Sequence, residues 1–217
     1  MSERVVIVDY GSGNLRSVER ALMRAAGEAG RRVVVARSDR AEDLAAADRA
    51  VLPGVGAFAA CRQALRRLPG MWEALQAFAE SGRPLLGICV GMQLMAEVGR
   101  EHGLNEGFGW FRGEVRALEP RLPDVRVPHM GWNRLALTPA GRAHPLFRGF
   151  TDAPWVYFVH SYAMDLVEEA PLLATCTHGR TFAAAIGRGR VAGVQFHPEK
   201  SQQAGIRILR NFLEWQP

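Results

Sequence analysis

The sequence is poor in the features that mark secreted, membrane and metal-binding proteins. Its 217 residues include only three cysteines, Cys61, Cys89 and Cys176, and they lack the paired spacing of a zinc site. An odd set of unpaired cysteines indicates a reducing compartment rather than a disulfide framework. No apolar run reaches the ~18 residues that span a membrane, and the N-terminus lacks the apolar core of a signal peptide. The sequence therefore predicts a cytoplasmic protein.

The charge pattern argues against a nucleic-acid-binding protein. The net charge is +5 and the isoelectric point is near 9.7, but the arginines are scattered along the chain. A nucleic-acid-binding protein usually concentrates them in a stripe or tail. A solvated basic surface is the favoured interpretation, with a phosphate-bearing partner or substrate as the alternative.

Nucleotide and metal motifs are also missing. A glycine-rich turn at 11–14 follows the first predicted strand, but Arg16 stands where the G-x-G-x-x-G motif needs its third glycine. No G-x-x-x-x-G-K-[ST] string occurs, and the six histidines do not form an H-E-x-x-H pattern. We therefore predict neither a cofactor nor a metal.

The patterning predicts an α/β fold in which a central, mostly parallel sheet is flanked by helices, as in flavodoxin-like proteins. β-branched runs at 4–9, 32–36, 49–52 and 83–88 alternate with helical spacing at 15–26, 58–67, 71–81 and 91–99. Short extended runs at 107–137 predict antiparallel strands on one edge. Strands at 155–159, 172–176, 181–186 and 191–196 precede a helix at 202–215, with Ser201 as its N-cap. Nothing resembles a linker, so residues 1–217 are predicted to be one domain.

The string Gly87-Ile88-Cys89-Val90-Gly91 is typical of a nucleophile elbow with cysteine in place of serine. It ends a predicted strand and begins a predicted helix, and its two glycines permit the sharp turn that exposes the side chain. The helix N-terminus below favours a thiolate. Cys89 is thus the candidate nucleophile, whereas Cys61 and Cys176 are predicted to be structural.

A second string, beginning at Gln195, supplies an imidazole and a carboxylate two residues apart, His197 and Glu199. Catalytic groups of parallel sheets gather at the carboxyl ends of strands, where Cys89 is also expected. His197 would move the thiol proton, and Glu199 would orient the imidazole. The sequence therefore predicts a Cys-His-Glu triad for attack on an amide or ester.

The bend Pro53-Gly54-Val55-Gly56 also lies at a strand end. Backbone N–H groups in such a bend can bind an anion. Together with the Val90 amide, Gly54 and Val55 are candidates for an oxyanion hole.

The string from Gly87 to Gln93 and the string His197-Pro198-Glu199 together resemble the class I, triad-type glutamine amidotransferases. Four further strings, 9–15, 52–58, 128–133 and 158–162, resemble the glutaminase subunits of imidazole glycerol phosphate synthase among them. The resemblance covers nearly the whole chain. It implies that Cys89 attacks glutamine to give glutamate and ammonia through a thioester. It also implies that Gly54, Gln93, Glu101, Ser161 and Tyr162 bind glutamine, and that the bend at Val55 changes conformation.

The same resemblance implies a partner, a (β/α)₈ barrel cyclase that receives the ammonia in histidine biosynthesis and forms a heterodimer with this chain. The positions it assigns to that interface are Asn14, His129, Met130, Trp132, Asn133, Tyr157 and Lys200.

Three alternatives remain beside this interpretation. Another triad amidotransferase, such as the glutaminase partner of pyridoxal phosphate synthase or of anthranilate synthase, would share the catalysis but not the acceptor. The string 128–133 argues against it. A cysteine hydrolase or peptidase would generally lack His-Pro-Glu after its last strand. A silent binding module would not need the intact triad.

Overall fold

The computed structural model describes residues 2–118 and 125–216. The strands within these ranges are β1 (Glu3–Val8), β2 (Val33–Ser38), β3 (Arg49–Gly54), β4 (Leu85–Cys89), β5 (Ala96–Gly99), β6 (Asn105–Glu106), β7 (Phe111–Ala117), β8 (His129–Arg134), β9 (Ala136–Leu137), β10 (Trp155–His160), β11 (Tyr162–Leu166), β12 (Leu172–His178), β13 (Arg180–Arg188) and β14 (Val191–Val194). The α-helices are α1 (Leu15–Glu28), α2 (Ala41–Ala45), α3 (Phe58–Arg67), α4 (Met71–Glu80), α5 (Val90–Gln93), α6 (Pro139–Ala143) and α7 (Gln202–Glu214).

A large sheet with the strand order β2-β1-β3-β4-β14-β13-β12-β9 forms the centre of the molecule. The five strands from β2 to β14 are parallel, and β13, β12 and β9 add an antiparallel edge. Helix α1 packs against α7, and α4 packs against α2 and α3. This arrangement confirms the predicted α/β class.

The middle strands of this sheet are covered on both faces. Every residue of β3, β4 and β14 is buried, as are Val5 to Val8 of β1. Continuous apolar strands of this kind are typical of parallel sheets between helical layers. Helix α1 shows the predicted amphipathic face, with Val18, Ala21, Leu22 and Ala25 buried. The sheet is therefore a rigid support for groups at its carboxyl edge.

The segment predicted to lie along one sheet edge, 107–137, is instead divided among three sheets. Strand β7 joins a four-stranded sheet of order β11-β7-β5-β6, and β8 pairs with β10 in a two-stranded sheet. Only the two-residue β9 reaches the main sheet, on β12. Residues 119–124 of the predicted segment lie outside the described residues. The prediction holds for β9 and is wrong for β7 and β8, because local patterning identifies a strand but not its pairing partner.

The helix predicted over 91–99 was also wrong. The helix is a single turn, α5, and the chain then continues as β5, which pairs with both β6 and β7. Gly99 lies against the ring of Phe58, where an added Cβ would be 2.5 Å from Cγ. Pairing of the β5 backbone with a distant strand thus overrides the local helical pattern.

The elements α2, α6, β6 and β11 were not anticipated from the sequence. Ser201 does occupy the N-cap position of α7, but its side chain does not cap the helix. Its hydroxyl donates to the carbonyl of His197 at 2.6 Å and accepts from the Tyr157 N–H at 2.9 Å.

Among the described helices, none is long and apolar enough to cross a membrane.

Candidate active site

Cys89 sits on a strained turn at the carboxyl end of β4. Its backbone has φ 54° and ψ −113°, a conformation that non-glycine residues rarely adopt. Glycines on either side of Cys89 permit the turn, because the backbone there lies too close to its neighbours for a side chain to fit. A Cβ on Gly91 would lie 1.8 Å from the Leu52 carbonyl oxygen, and one on Gly87 would lie 2.5 Å from the Met95 methyl carbon. Because α5 has one turn only, its dipole at Cys89 is smaller than that of the longer helix predicted.

His197 and Glu199 reach this turn from the neighbouring strand. β14 pairs with β4 up to Val194 and Ile88, and His197 follows three residues later. The Nδ1 of His197 lies 2.8 Å from Glu199 Oε1, and both side chains are almost fully buried. A carboxylate accepts, so Nδ1 carries the hydrogen. Within the described residues Nε2 has no well-formed hydrogen bond, and the Cys89 side chain lies close enough to interact with the imidazole.

The imidazole of His197 holds its proton more firmly than an ordinary histidine. Burial by itself lowers its pKa, but hydrogen bonding and charge from Cys89 and Glu199 outweigh burial and raise the pKa to about 9. His197 is therefore protonated at neutral pH. A protonated imidazole beside the Cys89 side chain can supply a proton to a leaving group.

A pocket of about 400 Å³ opens above Cys89. It brings together most of the side chains predicted for catalysis and substrate binding. Its lining residues are Val55, Gly56, Ala57, Cys89, Val90, Gln93, Glu101, Pro128, Val159, His160, Ser161, Tyr162 and His197. Gly54 lies beside Cys89 in the sheet register, and Glu199 lies behind His197. These residues come from six separate stretches of the chain.

Two of the predicted substrate-binding side chains, Gln93 and Glu101, are held in place by hydrogen bonds to the surrounding chain. Gln93 donates one amide hydrogen to the Tyr162 carbonyl at 2.9 Å and the other to Gln195 Oε1 at 3.0 Å. These two bonds use the side-chain nitrogen of Gln93, and its side-chain oxygen takes part in neither of them. Glu101 accepts a hydrogen bond from the Phe58 N–H, at the start of α3, at 2.8 Å. Both side chains are thus oriented before any ligand binds.

The bend at Val55 is held by a serine from the first loop. The Ser12 hydroxyl donates to the Val55 carbonyl at 2.7 Å and accepts from the Val55 N–H at 3.1 Å. The Val55 N–H is therefore directed at Ser12. Gly54 is required for packing here, because an added Cβ would lie 2.6 Å from the Tyr10 hydroxyl and 2.9 Å from the Gly91 nitrogen.

Sequence reasoning missed Gln195 as a residue of the site. Its side-chain amide, fully buried, donates to Cys89 Sγ at 3.7 Å. The only signal available was its position in the same string as His197. Tyr10 was missed as well. Its buried hydroxyl donates to the Pro53 carbonyl at 2.6 Å, below the bend, and burial raises its pKa well above 10.

Five of the seven residues predicted for a partner interface divide between the two faces of the β8–β10 sheet. One face consists of Met130, Trp132, Arg134, Trp155, Tyr157 and Val159, and we call it the outer face. Met130, Trp132 and Trp155 are 63%, 42% and 54% exposed. Lys200 lies over the ring of Tyr157, and Asn14 is exposed at the start of α1.

Two of the predicted interface residues are placed differently. Strand alternation turns His129 and Asn133 to the inner face of this sheet, and His129 is only 3% exposed. His129 is therefore covered in this chain and does not present a surface. Trp155, which was not predicted, lies on the outer face opposite Arg134.

A family model for class I glutamine amidotransferases matches residues 6–215. Solved structures agree on the fold. One described as a glutamine amidotransferase is 20% identical with a TM-score of 0.70, covering 96% of this chain and 97% of that one. The glutaminase domain of Trypanosoma brucei CTPS, with bound acivicin, has a TM-score of 0.68 at 15% identity, covering 100% and 96%. The chain belongs to the class I glutamine amidotransferases.

Relatives found by sequence identify the group of amidotransferases to which the chain belongs. A protein of Zymomonas mobilis is 51% identical over 217 residues, covering 100% of this chain and 98% of that protein. One of Cereibacter sphaeroides is 49% identical over 213 residues, covering 98% and 99%. Both are named imidazole glycerol phosphate synthase subunit HisH. Within the amidotransferases, this chain belongs to the HisH family.

The raised pKa of His197 predicts a dependence of stability on pH. Its folded pKa, about 9, exceeds the ordinary value of 6.5. The protonated imidazole therefore contributes stability that is complete below about pH 6.5 and is lost as the pH rises through about 9. We expect the difference in unfolding free energy between the wild type and His197→Asn to shrink across this window in urea titrations. A difference that stays constant from pH 6 to pH 9.5 would contradict this assignment.

Proposed function

We propose that this chain hydrolyses L-glutamine to glutamate and ammonia through Cys89, His197 and Glu199, as the glutaminase subunit of imidazole glycerol phosphate synthase. The observation that carries the proposal is the geometry of the pocket. A cysteine on a strained elbow shares it with an imidazole whose far nitrogen is bonded to a buried carboxylate. Family membership supports glutamine as the substrate.

Catalysis begins with attack of the Cys89 sulfur on the side-chain carboxamide carbon of glutamine. The protonated His197 faces the sulfur and is well positioned to give its proton to the leaving nitrogen. The C–N bond then breaks, ammonia leaves, and a glutamyl thioester remains on Cys89. Glu199 holds the imidazole in orientation throughout.

Water completes the reaction. His197, now neutral, takes a proton from the water as its oxygen attacks the thioester carbon. The C–S bond breaks, glutamate leaves, and the thiolate–imidazolium pair is restored. The Gln195 amide, which donates to Cys89 Sγ, stabilises negative charge on the sulfur.

The first test removes the nucleophile. We expect Cys89→Ala to lower glutamine turnover by at least about a thousandfold, because no other group can form the thioester. The complex with the cyclase should still make its product from added ammonium, since that step does not use the thiol. Both rates can be measured on the same purified complex.

Cys176→Ala is the matched control, because Cys176 is a buried cysteine in β12 whose pKa burial raises to about 12. It should keep wild-type glutamine turnover. Full glutamine turnover by Cys89→Ala would refute the proposed nucleophile. Loss of the ammonium-driven reaction as well would make Cys89 structural.

We propose that formation of the oxyanion hole is the regulated step. The Val90 N–H lies beside the nucleophile, but the Val55 N–H is bonded to Ser12 rather than directed at the pocket. Rotation of the Gly54–Val55 peptide would bring that N–H toward the pocket, and it must first break the bond to Ser12. The isolated chain should therefore be a weak glutaminase that becomes strong when the cyclase and its ligand are bound.

Ser12→Ala tests this gate. Removing the hydroxyl eliminates both of its bonds to Val55, including the one from the Val55 N–H, worth about 1 kcal/mol, that must break before the peptide rotates. The glutaminase rate of the isolated chain should rise about fivefold, whereas Ser12→Thr, which keeps a hydroxyl, should stay near wild type. Steady-state glutamate release measures both. An unchanged or lower rate for Ser12→Ala would contradict a restraining role for this serine.

The outer face is the proposed docking surface for a (β/α)₈ barrel cyclase subunit, in a heterodimer through which ammonia passes. The cyclase then makes imidazole glycerol phosphate and the aminoimidazole carboxamide ribotide. Exposed aromatic side chains such as Trp132 and Trp155 are typical interface anchors. The face also adjoins the site, because the Tyr157 carbonyl accepts from the His197 N–H at 2.9 Å.

Binding measurements with the purified cyclase test this surface. Trp132→Ala should weaken assembly about 30-fold, as expected for an anchor worth about 2 kcal/mol. Met130→Ala should weaken it less, and Met23→Ala, at an equally exposed methionine on α1, should have no effect. Lys200 is the only lysine in the sequence. Amine-reactive labelling should therefore detect its protection in the complex. Equal affinities for Trp132→Ala and Met23→Ala would place the interface elsewhere.

A further inference from the structure

Two buried histidines lie behind the outer face, and one of them, His160, also lines the glutamine pocket. His129 of β8 and His160 of β10 face each other in the sheet register and are 3% and 6% exposed. The Nδ1 of His129 is 3.0 Å from the Nε2 of His160. Neither belongs to the triad, and both are too deeply buried to contact a partner directly.

The partners of these rings fix the direction of each hydrogen bond. The Nδ1 of His160 lies 2.8 Å from the Tyr162 carbonyl, which can only accept, so this nitrogen carries the hydrogen. The Nε2 of a neutral His160 must then accept from the Nδ1–H of His129. The Nε2 of His129 accepts in turn from the Asn133 side-chain amide at 3.2 Å. The three side chains thus form one ordered series of bonds ending at Tyr162.

Both imidazoles are neutral at physiological pH, as this series requires. Burial lowers the pKa of His129 to about 3, with further contributions from His160 and His178. Burial also lowers the pKa of His160 to about 4, against the opposing bond to the Tyr162 carbonyl.

Ring packing prevents the series from rearranging freely. His129 is stacked between Phe158, at a centroid distance of 4.6 Å, and His178, at 4.0 Å. The ring of His160 meets the edge of Phe182 at 4.9 Å. At the other end, Asn133 also donates to the Thr177 carbonyl at 3.0 Å. Asn133 is therefore fixed between the sheet and the rings, next to the exposed Trp132.

A second series reaches the same carbonyl from the pocket. Gln93 donates to Tyr162 O and to Gln195 Oε1, and Gln195 donates to Cys89 Sγ. The Tyr162 carbonyl is thus the junction of two hydrogen-bonded series. One begins beside the outer face and the other ends at the nucleophile.

We propose that His129 and His160 are positioning residues that transmit docking at the outer face to the glutamine pocket through the Tyr162 carbonyl. The proposal rests on the proposed function, since it assumes that the outer face is the docking surface. A shift of β8 on docking changes the Asn133–His129 bond and, through the two rings, the position of Tyr162. Tyr162 and Gln93 both line the pocket, so the change reaches the substrate.

The experiment compares two substitutions of His160 in the full complex with the cyclase and its ligand. His160→Phe keeps an aromatic ring but removes both bonds of the series. His160→Gln supplies one donor and one acceptor in place of the two ring nitrogens. The measured quantity is the ratio of the glutaminase kcat with the partner to that without it. We expect His160→Phe to lower this ratio about tenfold and His160→Gln to keep it within about threefold of the wild type.

His178→Phe is the matched control, because His178 stacks on His129 but its Nε2 bonds to the Arg126 carbonyl outside the series. It should leave the ratio unchanged. A wild-type ratio for His160→Phe would overturn the proposal. So would an equal loss for His160→Phe and His160→Gln, because ring packing rather than hydrogen bonding would then explain the effect. If the wild-type complex itself fails to use glutamine, the proposed function fails instead.

A spectroscopic readout is independent of activity. In ¹⁵N-histidine-labelled chain, His129 and His160 should both show the neutral form protonated at Nδ1, and their ring ¹⁵N shifts should move when the cyclase binds. In Trp132→Ala at saturating partner the shifts should move by less. A hydrogen on Nε2 of His160, or ring shifts that do not respond to docking, would rule out the series as the connection.

Discussion

The contact between the elbow and the end of β3 is the constraint on which the site depends. Gly91 lies so close to the Leu52 carbonyl that no side chain fits between them, and Cys89 is forced into a left-handed conformation. This contact sets the nucleophile beside the Gly54–Val55 bend on one side. On the other side, the neighbouring β14 delivers His197. A rigid, fully buried sheet below keeps the three positions fixed. The strain at Cys89 is thus local and is supported by the packed strands around it.

The small β8–β10 sheet forms part of the wall of the pocket, to which β10 contributes Val159 and His160. The alternation of its side chains separates an outer face rich in aromatic residues from an inner face that carries His129, Phe158 and His160. A two-stranded sheet is only marginally stable by itself, and here the inner-face rings and their hydrogen bonds attach it to the rest of the molecule. The backbone of Tyr157 is bonded to His197 and to Ser201 as well. The outer face is therefore close to both His197 and the pocket above Cys89, whereas the Val55 bend is held by Ser12 of the first loop.

Much of the parallel half of the fold was predictable, since its signals are local. The strands near 4–9 and 49–52, the helix at 58–67 and the elbow at Cys89 all follow from apolar periodicity, glycines and strand-end position. The wrong predictions share one cause. The segment 91–99 becomes β5 because β7 pairs with it, and 107–137 is divided because its strands find partners far along the chain. The pairing of β8 with β10 likewise decides that His129 turns inward, which the sequence did not indicate either way. Pairing between distant segments has no local signature.

The sequence by itself determined the chemistry of this protein. The sequence alone shows a cysteine between two glycines and a histidine two residues before a glutamate. Their residue types and spacing indicate the reaction without any knowledge of the structure. Only the tertiary structure decided how those groups are connected. The bond from Ser12 to Val55, the Gln195 amide on the Cys89 sulfur and the facing imidazoles of His129 and His160 each join residues 31 to 106 positions apart. Such contacts depend on strand order and register, which are set by the packing of the whole chain and not by any stretch of it.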